Sequence, residues 1–191
     1  MAIVTKLTNA ISYDCSTVNR AKLGIENQAV IINVQDIDLT TLTMSGSVIT
    51  NLLLKAGTSG MTVSFIKQGS DVGSKAVVSD NGFNTFEHHF NGVVYGQSAT
   101  DLNTIKMLSE GQFVVVYESK FKGTGLVDSY KVLGIENGLY LSAGEFASNK
   151  DDSTFQFTLS SYKGLGEKYS VQTYFNGTYS GSSTKFNANF A

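Results

Sequence analysis

The sequence predicts a mainly β fold: a β-sandwich or rolled antiparallel sheet with one flanking α-helix at about 98–111, all in a single domain spanning 1–191. Three observations predict it. Most segments alternate apolar and polar residues with period two, as a strand with one buried face does. Asn-Gly and other glycine-rich steps punctuate those segments, and they supply the positive φ that tight turns demand. A helical period is convincing in one stretch only.

Taken in order, Ala29–Val34, Val48–Leu54 and Phe113–Tyr117 are short, β-branched apolar runs, which reads as burial on both faces. Met61–Ile66, Thr85–Phe90, Ser129–Leu133, Thr154–Leu159 and Tyr169–Phe175 alternate, which reads as strands with one face covered. Asn137-Gly138 is expected to reverse the chain in a hairpin between Tyr130–Leu133 and Leu139–Ser142. Around Asn91-Gly92 two readings stay open, a turn or one long strand from Thr85 to Tyr95 carrying a bulge. The helix is expected over Ala99–Glu110, with Ser98 as N-cap, Asp101 three residues on, Leu102, Ile105 and Leu108 on one face, and Gly111 in a left-handed C-terminal position. The steps Gly57–Gly60, Gly123–Gly125, Gly164–Glu167 and Gly181–Thr184 read as turns. Extended arms are expected at both ends, 1–10 and 176–191, the second carrying Phe186 and Phe190 as anchors for a neighbouring subunit or a last edge strand. Leu-Gly-Ile-Glu-Asn occurs at 23–27 and again at 133–137, too short a match for a duplication and consistent with two junctions that need the same glycine geometry.

Composition narrows the function classes. A formal charge of −2 and 16% charged residues give no electrostatic footprint for nucleic acid. No apolar run approaches the roughly 20 residues that a bilayer-spanning helix needs, so no membrane role is expected. The start of the chain lacks a basic flank followed by a long apolar segment, so a secretory leader is not expected. The charge deficit is filled by 22 Ser, 18 Thr and 14 Asn, a polar surface with little repulsion between copies. The chain has no Pro, so its strand edges lack one common guard against pairing with other edges. Both traits suit a protein that packs against itself.

Catalytic, cofactor and metal residues are expected to be none. His88 and His89 are adjacent on a strand candidate and point to opposite faces, so they cannot share one metal ion. His88 groups with Phe86 and Phe90, and His89 with Glu87. Cys15, the lone cysteine, has no base assignable to it and reads as a structural thiol. Asp151-Asp152 lacks the alternating oxygen ligands of a calcium loop. The glycine loops lack the Gly-Lys-Ser/Thr ending that grips phosphate, and no Gly-x-Ser-x-Gly elbow is present. The aromatics of the last third, from Phe146 to Phe190, have one Arg and no Trp in the whole chain to accompany them. They read as core and subunit-interface packing rather than a stacking platform.

Val114-Val-Val-Tyr-Glu118, Tyr130–Ala143 and Ser153–Ser160, preceded by the helix at 98–111, together with Ile11–Cys15 and Val30–Asn33, resemble virion structural proteins of tailed bacteriophages, especially those of Bacteroides-type hosts. The likeness runs through most of residues 10–160 and rests on apolar pattern and turn placement. It implies a tail-tube-like fold and a non-enzymatic tail tube subunit: a homo-oligomeric ring, classically hexameric, that stacks on other rings around a lumen through which DNA passes without sequence-specific contact. It also implies other virion proteins of the tail or neck as partners, and the virion, assembled in the host cytoplasm, as the location. A neck or ring, head-tail completion or capsid decoration protein is the alternative within that class, and a carbohydrate- or receptor-binding β-sandwich the alternative outside it. An inter-ring loop is expected at 69–84 or 121–128.

Overall fold

The computed structural model describes residues 24–65, 70–78, 84–146 and 154–191. Its hub is β7 (Phe113–Ser119). β1 (Ile25–Asn33) runs antiparallel along one edge of β7, with Ile32 opposite Val114 and Ala29 opposite Tyr117. β8 (Tyr130–Leu133) and then β9 (Leu139–Phe146) lie antiparallel along the other edge, Leu133 opposite Val115 and Leu139 opposite Phe113. From there the sheet divides. One path runs through β8 to β11 (Gln172–Tyr174), β3 (Val48–Asn51) and β2 (Thr43–Ser45), and the other through β9 to β10 (Phe155–Ser161), β6 (Thr85–Val94) and β5 (Asp71–Val77). β4 (Met61–Ser64) lies outside β1. Among the described residues every pairing between strands is antiparallel except β11 with β3.

The apolar runs at Ala29–Ile32 and Phe113–Tyr117 are buried on both faces, as their sequence requires. Val30, Ile32, Val114 and Val116 point into one core with Ile49, Tyr130, Val132, Tyr174, Phe186 and Phe190. Ala29, Ile31, Phe113, Val115 and Tyr117 point into a second core with Phe90, Leu133, Leu139, Phe157 and Leu159. Each fully buried aliphatic side chain stabilises the fold by about 1.5–3 kcal/mol, so these two strands anchor both cores at once. In the 48–54 run only Ile49 and Leu52 are fully buried. The second core closes because the path from β4 to β6 rolls up: the Phe65 ring, just beyond β4, lies 5.9 Å from that of Phe90 on β6. The fold is thus the mainly β rolled sheet that the alternation predicts.

Its helix α1 (Ala99–Glu110) is capped as the sequence reads. Ser98 accepts from the Asp101 N–H, and the Asp101 carboxylate accepts from the Ser98 N–H at 2.9 Å. Only Leu108 of the expected apolar face is buried, however, while Leu102 and the off-face Met107 are more than half exposed. Gly111 is extended (φ −93°, ψ 170°) rather than left-handed. Its small size is used for packing, since a Cβ there would run into the Phe113 ring.

Four expectations are corrected. Asn137-Gly138 makes no hairpin: β8 and β9 run in the same direction along one edge of β7, and between them the chain makes a single helical-type turn closed by Gly138 N–H to Gly134 C=O at 2.9 Å. Both glycines take positive φ, +75° and +71°, so the need for glycine was legible while the reversal was not. The 176–191 arm is a second helix, α2 (Tyr179–Asn187), N-capped by Thr178 and folded onto its own chain. Phe186 meets Tyr130 at 4.9 Å and Phe190 meets Tyr174 at 5.2 Å between ring centroids, which buries both phenylalanines in the first core and leaves no extended arm there. The Gly181–Thr184 step is accordingly helical rather than a turn. Within 69–84, Asp71–Val77 is strand β5, paired along its length with β6, so that stretch is no free loop. Of the two readings around Asn91-Gly92 the strand holds: Thr85–Val94 is one strand through both residues, with unbroken register to β5 and β10. The expected N-terminal arm 1–10, Cys15 and Asp151-Asp152 lie outside the described residues.

Candidate functional site

The alternation of β6 separates the two histidines as the sequence requires. His88 is buried and His89 is on the exposed face, 3.4 Å from Asp71 of β5. The His88 ring is fully engaged: Nδ1 accepts the Gly134 N–H at 3.2 Å, which places the ring proton on Nε2, where it donates to the Tyr169 carbonyl at 3.0 Å. Its own backbone N–H donates to Ser161 Oγ at 2.9 Å. Burial holds its pKa below the usual histidine range, opposed by the hydrogen bonds to the 169–170 backbone and by the charge of Glu136.

Beside it sits a carboxylate that the sequence reading passed over. Glu167 is buried. Its backbone exchanges two hydrogen bonds with Phe86, each 2.8 Å, which fastens the 162–170 segment to the start of β6. Its two carboxylate oxygens accept the N–H groups of Glu136 and Asn137, each at 2.9 Å. Asn137 Nδ2 returns a bond to the Gly166 carbonyl at 3.0 Å, and the Lys168 N–H donates to the Glu136 carboxylate at 2.8 Å. Burial raises the Glu167 pKa, against the pull of the two backbone N–H groups. The turn expected at Gly164–Glu167 falls at Tyr162–Leu165, closed by Leu165 N–H to Tyr162 C=O at 2.9 Å, with Glu167 beyond it in a bridge to Phe86. The one signal for Glu167 was a carboxylate beside a glycine turn in a weakly charged chain.

Chemically, His88 and Glu167 act as brackets. They tie the turn between β8 and β9 to the 162–170 segment and to β6, and every polar atom of the two side chains is engaged with backbone. Tyr117 is likewise a packing residue, its phenol pushed up to about 12 by burial. Among the described residues no group of three or more His, Cys, Asp or Glu side chains could hold a metal ion, and no helix is long and apolar enough to cross a membrane. The aromatics of the last third divide: Phe157, Tyr174, Phe186 and Phe190 are core, whereas Phe146 and Tyr162 are exposed.

Two surface features stand out. A groove of about 640 Å³ opens between α1, β4 and the end of β6, walled by Ile31, Met61, Val63, Val94, Met107 and Phe113 with Glu110 at its side. In addition, β2, β4 and β5 each pair on one side only among the described residues. β5 is the longest of these edges at seven residues, against four in β4 and three in β2. No family model, curated protein or solved structure matches the chain.

Proposed function

We propose that this chain is a non-enzymatic structural subunit that assembles with copies of itself, and that its setting is the virion of a tailed bacteriophage, as a tail tube subunit in stacked rings around a DNA-conducting channel. The observation that carries the self-assembly part is the set of sheet edges β2, β4 and β5, each unpaired on one side among the described residues, in a chain without Pro. An unpaired edge presents a row of free N–H and C=O groups that another strand can complete. The weakly charged, Ser/Thr/Asn-rich composition supports close packing of copies, because it brings little like-charge repulsion to a subunit contact. The engagement of His88 and Glu167 with backbone supports a structural role for the buried ionisable groups. The virion setting rests on the sequence resemblance, and a net charge of −2 is compatible with a lumen along which DNA slides. Negative-stain images of the purified protein at high concentration test the reading: rings or tubes with a central channel are expected, and a field of isolated monomers would overturn it.

A further inference from the structure

We propose that the outer edge of β5 is a contact with a second copy of this chain, the two β5 strands pairing antiparallel about a two-fold axis at Gly73, with Asp71 of each copy opposite Lys75 of the other. This rests on the self-assembly part of the reading above and adds which edge meets which: a two-fold contact closes on a pair of copies, so it joins subunits of two facing rings, and a separate head-to-tail contact closes each ring. Among the described residues β5 is the longest edge and pairs only with β6. Its sequence is self-complementary in one register. With the axis at Gly73, Asp71 meets Lys75 twice, Val72 meets Ser74, and the glycines face each other without side chains. With the axis at Ser74 instead, Asp71 would meet Val77 and Lys75 would meet Gly73, leaving the charges unmatched.

Geometry places the charged pair on the accessible side. Asp71 and Lys75 are both exposed and share a face with His89 and Glu87 of β6, their direct partners being Asn91 and Glu87. The alternate residue Val72 packs against the second core, and in the joined strands it would lie opposite Ser74 on that inner face. Directly opposite residues in an antiparallel pair have Cβ atoms about 4.5–5.5 Å apart, close enough for opposite charges to favour pairing and like charges to oppose it. A two-fold contact of this kind uses the same surface on both copies, so each substitution acts twice.

The test is a charge-swap series, Asp71→Lys, Lys75→Asp and the double swap, followed by sedimentation velocity over a concentration series, with circular dichroism to verify folding. Each single swap places like charges opposite each other twice and is expected to weaken self-association about tenfold. The double swap restores opposite charges and is expected to return association to the wild-type level. Wild-type association in both single swaps, or weakening that the double swap does not reverse, would overturn the β5 contact while leaving self-assembly through another edge standing. A wild-type protein that stays monomeric throughout would overturn both.

Discussion

Phe190→Ala separates a C-terminal segment that belongs to its own subunit from an arm that docks elsewhere. Phe190 is 1% exposed, lies in the first core, and meets the Tyr174 ring at 5.2 Å and the Phe186 ring at 6.5 Å. It also takes a left-handed φ of +60°, held by its N–H donating to the Lys185 carbonyl at 2.8 Å. Truncating a buried Phe to Ala costs about 3–5 kcal/mol in lost burial plus the cavity left behind. For a chain of this size each kcal/mol moves Tm by about 2–4 °C, so the variant should melt about 6–20 °C below wild type. The assays are thermal melting and urea unfolding followed by circular dichroism, at a concentration low enough to keep the protein monomeric. Leu102→Ala on the exposed side of α1 is the control, expected to fall within about 0.5 kcal/mol of wild type. A Phe190→Ala monomer as stable as wild type, with a defect only in association, would refute the reasoning and restore the extended arm.

Three further outcomes follow from the same structure. Burial depresses the His88 pKa, so the unfolded chain takes up a proton first as pH falls. Stability should therefore decline below about pH 6.5, by up to about 1.4 kcal/mol per pH unit, and His88→Gln, which can accept from Gly134 and donate to Tyr169, should flatten that limb in urea midpoints measured from pH 7 to 5. The Glu167 pKa is raised, so its contribution has the opposite sign: full below about 4.5 and falling as pH rises through 4.5 toward the folded value. Midpoints of wild type and Glu167→Ala should accordingly draw closer with rising pH across that window, and a gap that widens would contradict the burial argument. Ser98→Ala removes the hydroxyl that caps α1 and should cost about 0.5–2 kcal/mol, with faster amide exchange in the first turn of the helix as the local readout.

What the sequence revealed and what it concealed divide along physical lines. Local physics was legible: the capping box of α1 is written in Ser98 and Asp101, the two-sided burial of β1 and β7 in unbroken β-branched runs, and the division of His88 from His89 in period two alone. Gly134 and Gly138 were legible as positive-φ positions, and Gly24 and Gly134 in the repeated pentapeptide both adopt it. One of them precedes a strand and the other follows one, so the repeat reflects backbone geometry rather than a repeated unit. Long-range pairing was not legible. Asn137-Gly138 carries a hairpin signal, but β8 pairs with β7 and β11, and β9 pairs with β10 and at Leu139 with β7, partners that lie beyond any local window. β5 was missed because Asp71, Gly73 and Lys75 read as loop residues when the partner strand is out of view. α2 was missed because Gly181 and three serines are poor helix formers, and the helix is held by tertiary burial of Phe186 and Phe190. Glu167 was invisible for the same reason, since its partners are backbone N–H groups about thirty residues away in sequence.

The claim that ties fold to function is that this sheet completes itself against other copies of the chain. The most direct measurement is the mass of the purified protein in solution, by sedimentation velocity or light scattering, over a concentration series at two salt concentrations. The account predicts a mass that rises with concentration to discrete multiples of the subunit, and that persists at high salt because backbone pairing rather than surface charge holds the copies together. A monomer mass unchanged across the whole series would contradict it.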